Sequence, residues 1–222
     1  MEKTNRRLYI RITNRCNRKC SFCYYNNDPK ENLDLSLDKI KEIVNKELDL
    51  RSDNSGYLRI EVTGGEPSLV ENLDEILEYL TNVPKTYITL ETNGSSLMSE
   101  KFLSTVLKFF NEPQFNFLKI SLNTELIEAD PNWINNIIAF QSFAEKNKIR
   151  YVFNTRFKDQ EDRAKLEQIV AQYDIHPSYK DIIYFPIHKV NLYKDGYLPN
   201  FGKPAIIYDV DGSEIIEFTN KK

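Results

Sequence analysis

Alternating strand and helix patterns constrain this chain more than any other feature of its sequence. Runs rich in β-branched and aromatic residues predict six strands, and apolar residues at helical spacing follow the first five. Strands joined by helical crossovers lie parallel, and right-handed crossovers curl such a sheet toward a barrel. The sequence therefore predicts an α/β fold, a partial (β/α)6 TIM-like barrel, two units short of a complete one. The predicted strands cover residues 7–13, 57–63, 86–91, 117–122, 149–155 and 181–187.

Polar residues that favour helix N-caps mark where the predicted helices begin. Ser36 and Ser99 each precede an apolar stripe, and Asn72 precedes another, with Glu75 three residues on as in a capping box. Asp130, which is followed by a proline, predicts the N-cap of the fourth helix with the proline as its first residue. The first helix is expected to end near residue 50, the fourth to end near 146, and the fifth to cover 160–173.

The last part of the chain does not continue this alternation. Two apolar runs, 205–210 and 214–218, flank Asp211–Gly212–Ser213, which predicts a β-hairpin with a tight turn. We therefore expect two regions, a core partial barrel over residues 1–188 and a C-terminal extension with a β-hairpin over 189–222.

Composition excludes several classes of partner. The 222 residues are enough for a buried core, and a net charge of −3 gives no basic field that would favour nucleic acid. No apolar run approaches the roughly 18 residues that span a bilayer. An odd number of clustered cysteines without a signal peptide argues against disulfides. The sequence predicts a cytoplasmic protein whose partners include neither membrane nor nucleic acid.

Every cysteine of the chain lies in one short loop after the first predicted strand. Cys16, Cys20 and Cys23 are spaced C-x3-C-x2-C, which indicates metal ligands rather than scattered core thiols. A structural zinc site normally has four protein ligands, and an iron–sulfur cluster that only transfers electrons usually has four cysteines. Three thiolates on a [4Fe–4S] cube leave one iron open to an outside ligand. This pattern favours a cluster that reacts with what it binds.

The motif resembles the signature of the radical S-adenosylmethionine (radical SAM) enzymes. Phe22 is the aromatic residue that this family places before its last cysteine, and Gly64–Gly65–Glu66–Pro67 matches the family's G-G-E motif. The resemblance implies a six-unit partial barrel, one [4Fe–4S] cluster held by the three cysteines as the catalytic centre, and SAM on the open iron. It also implies reductive cleavage of SAM to a 5′-deoxyadenosyl radical, abstraction of a substrate hydrogen atom, and a reductant such as a flavodoxin or ferredoxin.

Further site residues are expected at the carboxyl ends of the strands, where parallel α/β proteins bind ligands. The resemblance implies that Gly64 and Gly65 admit the backbone close to SAM and that Glu66 accepts from its ammonium. The glycine-rich stretch that the family often has at the fifth strand is missing from residues 151–158. The remaining candidates for SAM contacts are Phe22 on the adenine, Ser121 and Asn123 on the ribose and carboxylate, and Asn93, Asn154 and Arg156.

The substrate class is open between several alternatives. Residues 12–17 and the C-terminal hairpin look like those of peptide-maturing members, so a peptide or peptidyl side chain is the first expectation. The compact size also suits a glycyl-radical-activating enzyme, and residues 91–94 resemble those of 7-carboxy-7-deazaguanine synthases. A non-catalytic protein is the alternative of another class, either an iron–sulfur binder or a zinc site completed by His176 or His188.

Overall fold

A computed structural model describes residues 6–23, 32–50, 57–111, 116–178, 181–186 and 205–217. The chain divides into two compact units. The first comprises Met1–Asn17, Asp28–Leu90 and Leu198–Lys222, and the second comprises Arg18–Asn27 and Glu91–Tyr197.

Strands and helices alternate along the described chain as the sequence predicts. The strands are β1 Arg6–Arg11, β2 Leu58–Thr63, β3 Thr86–Thr92, β4 Phe117–Leu122, β5 Tyr151–Phe157, β6 Tyr184–Pro186, β7 Ala205–Tyr208 and β8 Glu214–Glu217. The helices are α1 Leu37–Asp49, α2 Leu73–Thr81, α3 Glu100–Phe109, α4 Thr124–Ala129, α5 Trp133–Lys146 and α6 Gln160–Gln172, with a 3₁₀ turn at Pro67–Leu69.

The first unit is built on β1, which pairs in parallel with two neighbours. β2 lies on one side of it, with Arg7 opposite Arg59, and β7 lies on the other, with Arg7 opposite Ala205. β3 extends the sheet in parallel beyond β2, and β8 pairs antiparallel with β7. The C-terminal hairpin is therefore confirmed, and its first strand is a further parallel strand beside β1.

The two faces of β1 and β2 differ in chemistry. Leu8, Ile10, Ile60 and Val62 alternate on one face and are fully buried, as expected of a packed core. The other face carries arginines and a buried carboxylate: Glu61 has no exposed surface and lies 2.7 Å from Nη2 of Arg59 and 3.5 Å from Nε of Arg7.

A buried ion pair joins the hairpin to β1. The side chain of Arg11 is only 1% exposed, and its Nη1 donates to Oδ1 of Asp209 over 2.8 Å. On the side of α1, the Tyr208 hydroxyl donates to Glu47 over 3.0 Å and accepts from Lys46 over 3.0 Å. These contacts fix the hairpin to both a strand and a helix of the first unit.

The second unit has its own parallel strands and aromatic core. β4 pairs with β5, and β5 pairs with β6. Tyr151 packs edge-on against Phe140 and Phe153, with ring centroids 5.6 and 5.8 Å apart. Trp133 is buried, and its indole N–H donates to the carbonyl of Asn93 over 3.2 Å.

Most predicted helix starts are confirmed and one is wrong. Ser36 and Ser99 cap α1 and α3 through their hydroxyls, as predicted. Asn72 precedes α2 but makes no side-chain capping bond, since its backbone (φ −96°, ψ 29°) is not in the extended conformation that such a cap needs. α5 begins at Trp133 rather than at the proline, because Asp130 accepts the Asn132 and Trp133 amides and thereby forms a turn.

The other differences concern strand limits and one helix. β1 ends at Arg11 rather than residue 13, β5 lies two residues later than predicted, and the described part of the sixth strand is only Tyr184–Pro186. α4 has no counterpart in the sequence prediction. The expected boundary at 188/189 lies outside the described residues.

Candidate functional site

The three thiols of the cysteine loop form no disulfide. Cys16 is exposed, while Cys20 and Cys23 are partly buried. The Cys23 amide donates to the Cys20 carbonyl over 3.0 Å, which closes a turn between these two residues. Within the described ranges, no three His, Cys, Asp or Glu side chains are grouped so that they could hold a metal ion. Ligation of a cluster by these cysteines therefore remains a prediction, although three thiols in one loop are the donor set that a cube with one open iron requires.

The Gly-Gly-Glu loop packs against the backbone that leads into the cysteine loop. The Gly65 amide donates to the Thr13 carbonyl and the Glu66 amide to the Arg15 carbonyl, both over 2.8 Å. A Cβ on Gly64 would lie 2.5 Å from the oxygen of Thr13, and one on Gly65 would lie 2.2 Å from the oxygen of Arg15. The two glycines are thus required by this chain's own close backbone approach. Their predicted contact with SAM is untested.

Glu66 is placed by the same loop. Its side chain has no exposed surface, and its carboxylate accepts from the Ser68 amide over 3.1 Å at the start of the 3₁₀ turn. The carboxylate therefore has a capping role in this structure, and its predicted bond to the SAM ammonium remains a prediction.

Residues beside Cys16 are held by side-chain bonds. Arg15 forms a two-pronged ion pair with Asp34 and donates to the Leu69 carbonyl over 2.9 Å. The hydrogen bond to Asp34 raises the pKa of Arg15 further. Asp34 also accepts from the Thr13 hydroxyl over 2.6 Å, and the Asn14 side chain accepts from the Leu33 amide over 2.7 Å. The backbone entering the cysteine loop is consequently fixed from two sides.

In the second unit, three predicted polar residues share one face of the sheet. Ser121 of β4 lies directly opposite Asn154 of β5, and Arg156 follows two residues later on the same face of β5. All three are partly exposed. The structure thus brings Ser121, Asn154 and Arg156 together, as expected of residues that line a ligand site.

Two other candidates hold local structure. The Asn93 side chain accepts from the Ser95 amide over 2.9 Å, and the Asn123 side chain caps α4 by accepting from the Leu126 amide over 3.0 Å. Both are buried. Phe22 is partly exposed in the cysteine loop. The roles predicted for these three residues in SAM binding are untested.

Sequence reasoning missed an ion pair and a pair of hydrogen bonds near these residues. Lys119 lies on the same face of β4 as Ser121, and its Nζ is 2.6 Å from the Glu91 carboxylate. Glu125 of α4 bonds to Ser21 inside the cysteine loop. Both pairs join segments far apart in sequence. The only signal for the first was the polar residue two positions before Ser121 on an otherwise apolar strand, and no local pattern indicated the second.

Comparison with known proteins decides the family. A family model described as "Radical SAM superfamily" matches residues 10–186, most of the chain. The chain belongs to this superfamily. Radical SAM members are enzymes that use a [4Fe–4S] cluster and SAM, so SAM cleavage and radical chemistry are its reaction class. Of the two histidines in the zinc alternative, His176 lies against Glu145, with Nε2 3.0 Å from Oε1, and His188 is outside the described residues.

Curated relatives of different activities match the radical SAM chain. GTP 3′,8-cyclase of Campylobacter curvus is 27% identical over 92% of this chain and 69% of its own length. The antilisterial bacteriocin subtilosin biosynthesis protein AlbA of Bacillus subtilis is 37% identical over 40% of this chain, but only 18% of its own length.

A solved structure shows the fold. Streptococcus suis SuiB, bound to its precursor peptide SuiA, superposes with a TM-score of 0.64 at 14% identity, over 96% of this chain and 59% of SuiB. This likeness confirms the α/β partial-barrel class that the sequence predicts. None of the described helices is both long and apolar enough to cross a membrane.

Proposed function

We propose that this chain is a radical SAM enzyme that removes a hydrogen atom from a peptide or a peptidyl side chain. A bound [4Fe–4S] cluster would supply the one-electron reduction of SAM by an external reductant, which would give methionine and a 5′-deoxyadenosyl radical that takes the substrate hydrogen. The chain's own residues hold and orient the reactants. A small electron-transfer protein such as a flavodoxin or ferredoxin is the proposed reductant.

The roles of the site residues follow from where they lie. Cys16, Cys20 and Cys23 would bind three irons and leave one for SAM. The Gly-Gly-Glu loop fixes the approach to Cys16 through its two backbone bonds. The polar face formed by Ser121, Asn154 and Arg156 would bind the polar groups of SAM or of the substrate, because each side chain is partly exposed on the same face.

The observation that carries the peptide proposal is the C-terminal hairpin. β7 and β8 form it, and it resembles the start of the extension found in peptide-modifying members. The similarity to AlbA, a bacteriocin biosynthesis protein, and the likeness to SuiB, which was solved with its precursor peptide, support the same substrate class. The core is proposed to end at residue 188, which is supported by a family match that ends at residue 186.

GTP or a similar nucleotide is the second candidate substrate. It is favoured by the similarity to GTP 3′,8-cyclase over 92% of the chain. The glycyl-radical-activating and 7-carboxy-7-deazaguanine synthase-like alternatives remain hypotheses. We further propose a reducing compartment such as the cytoplasm, because clustered thiols stay reduced there.

The first experiment asks whether SAM is cleaved. The protein is reconstituted anaerobically with iron and sulfide, reduced with dithionite in the presence of SAM, and assayed for 5′-deoxyadenosine by mass spectrometry. Cys20→Ala should abolish the product, whereas Lys19→Ala, an exposed neighbour in the same loop, should retain it. Equal product from wild type and Cys20→Ala would contradict the assignment of the cysteines.

A second measurement separates the two substrate classes. The same reaction is run with GTP and, separately, with small peptides encoded beside the gene. A peptide that loses a hydrogen atom in step with 5′-deoxyadenosine formation supports the proposal. A rise in 5′-deoxyadenosine with GTP alone, accompanied by a GTP-derived product, would replace it by the nucleotide alternative.

A further inference from the structure

Glu125 contacts the cysteine loop at the residue that follows Cys20. Its carboxylate accepts from the Ser21 amide over 2.6 Å and from the Ser21 hydroxyl through its other oxygen. Nζ of Lys158 lies 2.7 Å from the same carboxylate. Glu125 is 17% exposed, and Ser21 occupies two of its acceptor positions in a fork. One acidic side chain therefore holds both the backbone and the side chain of a loop residue.

The electrostatics favour the ionised form of this carboxylate. Partial burial of Glu125 opposes ionisation, but hydrogen bonds from Lys158 and from Ser21 outweigh it and lower the pKa of Glu125. The pKa of Lys158 is raised by the same contact. The bonds to Ser21 are therefore charge-assisted, which makes them stronger than bonds between neutral groups.

α4, which carries Glu125, is itself fixed within the second unit. Asn123 caps the helix, and the Thr124 hydroxyl donates to Oδ1 of Asp162 over 2.6 Å. The other oxygen of Asp162 accepts from the Lys158 amide over 2.7 Å. A helix of only six residues is marginal alone, so these bonds determine where Glu125 lies.

The far end of α4 holds the same loop at a second point. Asp130, the residue after the helix, accepts from Nη2 of Arg18 over 2.6 Å. Arg18 and Ser21 lie on either side of Cys20 in sequence. Residues at the two ends of α4 thus hold the loop before and after Cys20, and Ser21 lies inside the Cys20–Cys23 turn.

We propose that Glu125 is a positioning residue for the cluster: it holds Ser21 so that the Cys20 and Cys23 thiols are oriented for ligation. The inference rests on the proposed role of the cysteines as cluster ligands. Groups that orient metal ligands from behind alter metal affinity strongly when removed, because the ligands then lose orientation before binding. Arg18–Asp130 is the second support of the same loop.

Cluster retention tests this role without measuring turnover. Anaerobically reconstituted protein is exposed to an iron chelator, and loss of the visible absorbance of the cluster gives a rate. Glu125→Ala should lose its cluster roughly tenfold faster or more. Glu128→Ala is the matched control, because Glu128 lies on the same helix and forms its ion pair with Lys165, 2.5 Å away, instead of with the cysteine loop. Its rate should equal that of the wild type.

Two further variants separate positioning from general folding. Glu125→Gln keeps an acceptor for Ser21, and Ser21→Ala keeps the amide bond, so both should fall between wild type and Glu125→Ala. The thermal unfolding midpoints of the metal-free proteins are measured in parallel. A faster loss in Glu125→Ala at an unchanged midpoint supports the proposal.

Several outcomes would overturn it. The proposal fails if Glu125→Ala loses its cluster at the wild-type rate, or if Glu128→Ala loses it as fast as Glu125→Ala does. If Glu125→Ala does not fold, the proposal fails when both Glu125→Gln and Ser21→Ala lose the cluster at the wild-type rate. A wild-type protein that takes up no cluster would overturn the cysteine assignment as well, so the two failures are distinguishable.

Discussion

Gly65→Ala tests the close backbone approach that leads to Cys16. The added Cβ would lie 2.2 Å from the oxygen and 2.6 Å from the carbonyl carbon of Arg15, where real Cβ contacts are not found below 3.0 Å. Both colliding atoms are backbone, so no side chain can rotate away. The Gly-Gly-Glu loop and the segment before Cys16 must separate by about 1 Å.

The cost can be worked out from the contacts that this separation breaks. The Gly65–Thr13 and Glu66–Arg15 bonds, both 2.8 Å, lose their geometry at a net cost of about 1 kcal/mol each. Strain from overpacking adds about 1–3 kcal/mol. We expect Gly65→Ala to lower the free energy of unfolding by about 3–5 kcal/mol, which corresponds to a fall in the midpoint of roughly 2–4 °C per kcal/mol in a chain of this size.

Urea and thermal unfolding of the metal-free protein measure this loss, with Gly212→Ala as the comparison. The nearest atoms to a Cβ on Gly212 belong to the flexible side chain of Lys39, and the backbone has a φ of +77°. That conformation costs an alanine about 1–2 kcal/mol. The reasoning is refuted if Gly65→Ala is no more destabilised than Gly212→Ala.

Two other predictions concern charged side chains. Arg11→Met should lower the free energy of unfolding by about 3–5 kcal/mol, because Asp209 then stays buried without the charge of Arg11. The double variant Arg11→Met/Asp209→Asn should be less destabilised. If urea unfolding gives the same loss for the single and the double variant, the prediction is contradicted. The hydrogen bonds to Glu145 and to the Asp174 carbonyl raise the pKa of His176 in the folded protein. The stability that protonated His176 contributes is therefore fully present below the pKa of about 6.5 in the unfolded chain, and it is lost as the pH rises through the higher pKa of the folded state. Glu145→Gln should therefore destabilise the protein more at about pH 6 than at about pH 8, and by less than about 1 kcal/mol because the pair is half exposed. The opposite pH trend would contradict the ion pair between His176 and Glu145.

Local patterns predicted most of the scaffold. Alternation and apolar spacing located β4 to the residue and found the serine caps of α1 and α3, because these features depend on neighbours in sequence. The hairpin was predictable for the same reason. Its parallel pairing with β1 was not, because no short stretch of sequence records which distant strand a segment joins.

The candidate site likewise contains residues whose placement could be predicted from the sequence and residues whose placement could not. Ser121, Asn154 and Arg156 could be predicted to lie together, since strand order and side-chain alternation place them on one face. Glu125 could not, because α4 is too short to be recognised from spacing and is stabilised by Asp162 and Ser21, both far away in sequence. The packing role of Gly64 and Gly65 could not be predicted either, because a glycine in a motif is equally compatible with contact to a ligand.

The pairing of β1 with β7 has a consequence for biosynthesis. Arg11 emerges from the ribosome 198 residues before Asp209. Until then a nascent chain that has already paired β1 with β2 must keep the guanidinium hydrated or find another partner. The addition of β7 to the sheet therefore also brings the carboxylate that neutralises the charge of Arg11. Translation that stops before β7 should yield a chain with an open strand edge and an uncompensated arginine, two features that favour recognition by chaperones and proteases.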